Sequence, residues 1–64
     1  NIEYHAKNIA INVKRTGVEA KLDPMNSYER RLVHSICNEI GGIITESLGE
    51  EPNRYVVIRK KEEQ

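Results

Sequence analysis

The sequence predicts a small α+β domain, in which two helices pack on one face of a three-stranded antiparallel sheet. Two segments, 2–13 and 26–40, carry apolar residues at spacings of three and four, which is typical of amphipathic helices. Three others, 18–22, 43–48 and 54–59, have the alternating or continuous apolar character of strands. The chain has 64 residues, enough for one domain with a modest core.

The first helix is predicted from its apolar spacing and its C-terminal residues. The apolar positions are Ile2, Ala6, Ile9, Ala10 and Val13. Lys14 and Arg15 suit the last turn because cations are favourable at the negative end of the helix dipole. Gly17 suits the stop because glycine readily adopts the left-handed conformation of a helix C-cap. We therefore expect this helix to end just before Gly17.

The next segment predicts a strand followed by a second helix. Val18–Leu22 alternates apolar and charged residues, and Asp23–Pro24 ends it. Asn26 is expected to cap the helix in a capping box with Glu29, with Ser27 as the alternative cap. The helix should continue to about residue 40 and end at the following glycine pair, since one face carries Leu32, Val33, Ile36, Cys37 and Ile40.

The last third of the chain predicts a hairpin of two strands. Ile43–Leu48 and Arg54–Arg59 are the strands, Gly49–Pro52 is the turn, and Lys60–Gln64 is expected to fray. A crossover helix leaves the first two strands parallel, and the hairpin reverses the third. Placing the third strand in the centre makes every pair antiparallel and gives the order 1-3-2. The continuous apolar run 55–58 suits a central strand.

Strand alternation assigns the residues of the third strand to two faces. Arg54, Val56 and Ile58 should face the helices, while Tyr55 and Val57 should face away. An exposed apolar pair on the open face is typical of an interaction surface. An alternative function is therefore a protein-interaction or dimerisation module, with a homo-oligomer as one form.

Composition excludes several classes of protein. Ten Lys and Arg balance ten Asp and Glu, so net charge gives no argument for a polyanionic ligand. Cys37 is the sole cysteine, which excludes an internal disulfide and a zinc cluster, and its apolar surroundings predict a buried, unreactive thiol. We expect no metal and no cofactor. Apolar runs are too short to cross a membrane, no signal-peptide pattern opens the chain, and we expect a cytoplasmic protein. Because it starts at Asn1, we interpret it as a fragment of a longer protein.

Arg30 and His34 form the candidate binding pair on the second helix. Residues four apart on a helix have Cβ atoms about 5 to 6 Å apart. At about 100° per residue, Arg31 and Asn38 lie on the same side, away from the apolar face. A guanidinium and an imidazole so spaced suit a phosphate group. Spacing alone leaves open that these are ordinary solvated residues.

Two blocks of sequence resemble a known family. Residues 24–34, PMNSYERRLVH, and residues 49–58, GEEPNRYVVI, are similar to the two blocks of the R-3-H domain, which is named for its Arg-x-x-x-His. The resemblance covers roughly Val18 to Lys60. It implies that Arg30 and His34 contact single-stranded nucleic acid, and it matches Arg54 to the arginine of the second block.

The helix before these blocks resembles the connecting helix of the bacterial Jag family, also called stage III sporulation J-associated proteins. The resemblance implies an RNA-binding protein of the bacterial cytoplasm, with a KH domain ahead of the R-3-H module. Accordingly, residues 1–17 are interpreted as the connecting helix and residues 18–64 as the R-3-H-like domain. The chain has no Gly-x-x-Gly loop of a KH domain, and we expect that domain upstream.

Other candidate residues have two interpretations each. Tyr28 is placed to stack on an unpaired base or to pack in the domain. Arg54 either joins the binding site or pairs with Glu50 or Glu51. Arg31 is a further candidate contact. Five further basic residues are candidates for a basic rim of the site: Lys14, Arg15, Arg59, Lys60 and Lys61. The alternative interpretation is that they are ordinary solvated charges.

An RNA-cleaving enzyme is a further alternative. His34 would act as general acid or base, with Arg30 stabilising the anion. No second proton-transfer group is evident, since Glu29 is explained as a helix cap and His5 lies on the other helix. We therefore expect a binding protein without catalytic residues. Its site residues are predicted at exposed positions, where substitution leaves folding intact.

Overall fold

The structure is a computed structural model that describes residues 1–62. Its elements are α1 (Ile2–Thr16), β1 (Ala20–Lys21), α2 (Ser27–Ile40), β2 (Ile43–Leu48) and β3 (Tyr55–Lys60). The sheet has the order β1-β3-β2, and both strand pairs are antiparallel. The predicted α+β class, element order and strand order are confirmed.

The ends of both helices follow the predicted local signals. Gly17 ends α1 in the left-handed conformation, with φ of 78°, and its N–H donates to the carbonyl of Val13. Asn26 caps α2, and its side chain and that of Glu29 form the capping box. Asn26, rather than Ser27, is therefore the cap. The predicted bounds of α2 and β2 agree with the structure.

β1 is shorter than predicted, because only Ala20–Lys21 form ladder pairs. Val18 is 67% exposed, since it directly follows Gly17, where the chain turns at the end of α1. Pairing with β3 continues irregularly beyond the strand: the N–H of Leu22 donates to Val56 O at 2.9 Å. The predicted five-residue strand is thus wrong at its start.

The C-terminal segment is more ordered than predicted. Lys60 belongs to β3, and the backbone N–H of Lys61 donates to Gly42 O at 3.0 Å. The prediction of fraying is wrong for these two residues, because the turn after α2 offers a backbone acceptor beside the strand end. The last two positions of the segment, 63–64, lie outside the described residues.

The core lies between the helices and one face of the sheet, as predicted. Its most buried members are Ala6, Ala10 and Val13 of α1, Val33 and Cys37 of α2, and Val56 and Ile58 of β3. The face of α2 that packs inward is rotated from the predicted one. Leu32 is only half-buried, whereas Arg30 is buried. Arg30 therefore stands at the edge of the core.

Val57 does not form the predicted exposed contact surface with Tyr55. Only 4% of Val57 is exposed, although it faces away from the helices. Its cross-strand neighbours are Lys21 on β1 and Glu46 on β2, and long side chains at paired positions shield a central residue. The prediction is wrong because the strand is flanked on both sides. Within residues 1–62, neither helix is long and apolar enough to cross a bilayer.

Candidate nucleic-acid interface

The motif residues meet where α2 lies against the β2–β3 hairpin. There they form two neighbouring sets of hydrogen bonds: Arg30 bonds Glu51, and Ser47 links His34 to Arg54, with Thr45 as a second partner of His34. We call this region the seam and define it by Arg30, His34, Thr45, Ser47, Glu51 and Arg54. One helix, one strand and one turn each contribute to it. The seam fixes the position of α2 relative to the hairpin.

Arg30 is the most enclosed member of the seam. Its Nη1 donates to Met25 O at 2.7 Å, and its Nη2 donates to Glu51 Oε1 at 2.8 Å. The Arg30 side chain is 11% exposed, whereas that of Glu51 is 61% exposed. The prediction of an exposed Arg30 is wrong, because the inward face of α2 includes this position. The guanidinium joins the start of α2 to the hairpin turn.

His34 lies over β2 with both ring nitrogens engaged. Nδ1 is hydrogen-bonded to the hydroxyl of Thr45, and Nε2 lies 2.9 Å from Ser47 Oγ. Thr45 and Ser47 are two apart on β2, so their side chains point to the same face of the sheet. Burial lowers the pKa of His34 below its ordinary value, and the nearby charge of Arg30 lowers it further. A neutral imidazole has one donor and one acceptor, and this site uses both.

Arg54 closes the hairpin turn and reaches the seam through Ser47. Its Nη1 donates to Gly49 O at 3.0 Å and its Nη2 to Ser47 O at 3.2 Å. Within the described residues it forms no ion pair with Glu50 or Glu51, so that alternative interpretation is wrong. Ser47 thereby links two predicted site residues, since its hydroxyl contacts His34 and its carbonyl contacts Arg54.

An exposed strip of α2 runs beside the seam and carries the other predicted site residues. Tyr28 is 73% exposed, which excludes a core packing role, and Arg31 and Asn38 are also exposed. At about 100° per residue, Asn38 and Arg31 lie next to His34 around the helix. The strip offers an aromatic ring, a guanidinium and an amide to solvent.

Sequence reasoning missed Thr45 and Ser47, and it considered Glu51 only as a partner of Arg54. Strand alternation did contain a signal for the hydroxyls, because Thr45 pairs with Ile58 and Ser47 with Val56, both core residues. Polar residues on the inner face of a sheet require hydrogen-bond partners. The nearest polar side chain on the covering helix is His34.

The site offers no metal centre and no activated nucleophile among the described residues. Within residues 1–62, no three His, Cys, Asp or Glu side chains are grouped to hold a metal ion. Cys37 is buried, and burial raises the pKa of its thiol to about 11, so the thiol stays protonated at neutral pH. This agrees with the prediction of a buried, unreactive cysteine.

Known proteins resemble this chain over most of its length. The sequence profile of the R-3-H domain family matches residues 1–60. The RNA-binding protein KhpB of Clostridium symbiosum is 48% identical over 62 residues, which are 97% of this chain and 28% of that protein. KhpB of Streptococcus pneumoniae serotype 2 is 39% identical over 57 residues, 89% of this chain and 17% of that protein.

A eukaryotic protein also matches: mouse Sperm-associated antigen 7 is 44% identical over 46 residues, 70% of this chain and 20% of that protein. The chain thus spans between 17% and 28% of the length of these three relatives. The matches confirm the resemblance to the R-3-H domain and to the bacterial Jag family. Since the family profile covers nearly the whole chain, and the seam is built on Arg30 and His34, this protein belongs to the R-3-H domain family.

Proposed function

We propose that this domain binds single-stranded nucleic acid, RNA in particular, and that it does so without catalysis. Membership of the R-3-H family supports this function, as do the two bacterial relatives that are named RNA-binding proteins. The small share of each relative that the chain spans leaves room for further domains. We infer that an N-terminal KH domain is one of them and that tethering to it adds avidity.

One observation carries the proposal: hydrogen bonds of the seam join α2 to the hairpin, and Tyr28, Arg31 and Asn38 are exposed on the same helix. A surface that is already ordered loses little entropy when a ligand binds. An aromatic ring suits stacking on an unpaired base, and guanidinium and amide groups suit the phosphate backbone. The seam therefore positions α2, and the residues of the exposed strip make the direct contacts with the nucleic acid.

Arg30 and His34 act mainly by holding α2 in position, and the exposed strip contacts the ligand. Arg30 has five N–H donors, two of which are used within the domain, and 11% of its side chain is exposed to solvent. His34 is committed to two hydroxyl groups. This commitment is unfavourable for a general base, so we prefer binding to the RNA-cleaving alternative. Arg54 holds the turn that carries Glu51.

The proposal is tested by titrating the domain into a fluorescein-labelled oligouridylate of eight nucleotides and measuring anisotropy. Binding should weaken as salt rises, with a slope of about −0.7 in log K against log salt for each phosphate contacted. Replacing Tyr28 by Ala should weaken binding by roughly 5- to 150-fold, which corresponds to a stacking contact of about 1 to 3 kcal/mol.

Tyr4 provides the matched control, because it is 71% exposed and lies on α1. Its replacement by Ala should leave binding unchanged. Equal effects of the two tyrosine variants, or binding indifferent to salt, would contradict the proposal. The thymidylate octamer measures the preference between RNA and DNA, and gel analysis of the recovered RNA tests for cleavage. A cleaved product that depends on His34 would overturn the non-catalytic assignment.

The protein-interaction alternative rests on exposed apolar residues of the sheet, Ile44 at 41% and Leu48 at 40%. It predicts that amide resonances of β2 shift with protein concentration or on addition of a protein ligand. Under our proposal, the octamer shifts the amides of α2 around Arg31. Shifts confined to β2, with none on α2, would favour the alternative.

A further inference from the structure

A second cluster of cations lies at the end of the domain opposite the hairpin turn. Both helices end there, β2 begins there, and β3 ends there. We call this region the basic end and define it by Lys14, Arg15, Lys60 and Lys61, all of which are exposed. The sequence groups these residues only in pairs, and the fold brings the pairs together.

The convergence is visible around two glycines. Lys60 Cδ lies 3.8 Å from the position that a Cβ on Gly17 would take, and Lys14 Cε lies 3.0 Å from the corresponding position on Gly42. The backbone N–H of Lys61 donates to the carbonyl of the same Gly42. The end of α1, the turn after α2 and the end of β3 are therefore in contact.

The cations of the basic end form no ion pair within residues 1–62, although two of them form hydrogen bonds. Lys14 Nζ is 3.4 Å from Ile40 O, and Arg15 contacts the neutral amide of Asn12, but within residues 1–62 none of the four cations pairs with a carboxylate. Arg59 differs, because it forms an ion pair with Glu46 across the sheet. Glu62 follows Lys61 directly in the sequence.

Helix capping explains part of the cluster only. Cations are favourable near helix C-termini, which accounts for Lys14 and Arg15 in the last turn of α1. Lys60 ends β3 and Lys61 follows it, so neither lysine belongs to the last turn of a helix. Exposed lysines there suit contact with a polyanion, because lysine neutralises phosphate charge and releases the bound counterions.

We propose that the basic end is a second phosphate-binding surface and that one nucleic-acid strand runs from the seam along α2 to reach it. This inference rests on the proposed function and extends it to the length of the ligand. Arg30 and Ile40 are separated by about 15 Å along the helix axis, at 1.5 Å per residue. At about 3.4 Å per stacked nucleotide, four to five nucleotides cover that distance. The path along the exposed strip passes Arg31, Ser35 and Asn38, and the exposed Glu39 lies beside it in the last turn of α2.

The test compares two double variants that remove the same charge. Lys60→Gln with Lys61→Gln alters the basic end, and Lys7→Gln with Lys21→Gln is the control at exposed positions elsewhere. With the octameric oligouridylate, loss of two phosphate contacts should lower the salt slope by about 1.4 and weaken binding about 25-fold at 0.1 M salt. The control should change binding less than about twofold, because salt screens distant charges over about 10 Å.

A short ligand completes the test. The dinucleotide UpU is too short to span both surfaces, so K60Q/K61Q should bind it as the unaltered domain does. Equal weakening of octamer binding by the two double variants would overturn the second surface and leave the proposed function standing. Failure of the unaltered domain to bind the octamer would instead refute the proposed function. Thermal unfolding checks both variants for folding, and K61Q alone, with an expected slope change of about 0.7, serves if K60Q unfolds the domain.

Discussion

The seam and the basic end both carry positive residues, and they differ in what those residues contact. Arg30 is 11% exposed and is bound by a carboxylate and a backbone carbonyl. Lys60 and Lys61 are exposed and pair with no carboxylate among the described residues. The residues that define the family motif therefore act first on the fold. At the other end of the domain, four exposed cations pair with no carboxylate among the described residues.

This difference predicts that substitutions separate the two regions by their effects. At the seam, a change should lower stability together with any effect on binding, because the side chains join α2 to the hairpin. At the basic end, a change should lower binding alone.

Replacing Arg30 by Ala should lower the free energy of unfolding by about 2 to 4 kcal/mol. The change removes two hydrogen bonds of a charged, buried side chain and leaves space at the edge of the core. A domain of this size has a total stability of roughly 3 to 10 kcal/mol, so much of it would be lost. Urea denaturation followed by circular dichroism measures the effect.

Replacing Glu51 by Gln is the matched control for Arg30. Glu51 is 61% exposed, so its own loss of charge should cost less than about 1 kcal/mol. The amide still accepts a hydrogen bond from Arg30. A loss below about 1 kcal/mol for the Arg30 variant would show that the seam is not structural, and the comparison of the two regions would fail.

Replacing Ser47 by Ala should lower the free energy of unfolding by about 1 kcal/mol. His34 then loses one of its two hydroxyl partners in a half-buried position. Ser35 is the control, since it is exposed on α2 and its replacement by Ala should change stability by less than about 0.5 kcal/mol. Indistinguishable urea midpoints for the two serine variants would contradict a role for the hydroxyl network.

Acidification should destabilise the domain through His34. Its pKa is lowered in the folded state, first by burial and then by Arg30, so the unfolded chain binds the proton more tightly. The free energy of unfolding should therefore fall as pH decreases below about 6.5 and level off below the folded pKa. Thermal melts between pH 7.5 and 5 measure the trend.

The controls for this trend are two Gln variants. His34→Gln removes the titrating group, so its stability should fall less over the same range. His5→Gln should follow the unaltered domain, because His5 is exposed on α1. A pH dependence that persists unchanged in the His34 variant would assign the trend to other groups.

The fold was predictable wherever the signals were local. Asn26 with Glu29 fixes the start of α2, and Gly17 fixes the end of α1, because capping depends on residues a few positions apart. The start of β1 was mispredicted, since alternation at Val18 and Ala20 satisfies a strand pattern locally. The turn at Gly17 and the length of β3 determine how many residues after Gly17 form ladder pairs with β3.

The sequence predicted Arg30, His34 and Arg54 as site residues, but it did not predict the burial of Arg30, and it missed Thr45 and Ser47. Spacing placed Arg30 and His34 on one side of α2, yet their partners Glu51 and Thr45 lie 21 and 11 residues away in sequence. Which side of a helix faces the sheet depends on tertiary packing. The apolar stripe of α2 did not determine whether the polar residues at its border, Arg30 and His34, are buried or exposed. In the structure these two residues form the helix side of the seam. Binding by Tyr28, Arg31 and Asn38 stays a prediction.

The smallest expected effect concerns the stability of the basic end. K60Q/K61Q should change the free energy of unfolding by less than about 0.5 kcal/mol, because both side chains are exposed and neither pairs with a carboxylate among residues 1–62. Gln also keeps part of the alkyl chain that Lys60 lays near Gly17. Urea denaturation alongside the Arg30 variant measures both regions on one scale. A loss above about 1 kcal/mol would mean that these lysines hold the ends of α1 and β3 together. Their effect on RNA binding would then be inseparable from folding, as at the seam, and the two regions would not differ in kind.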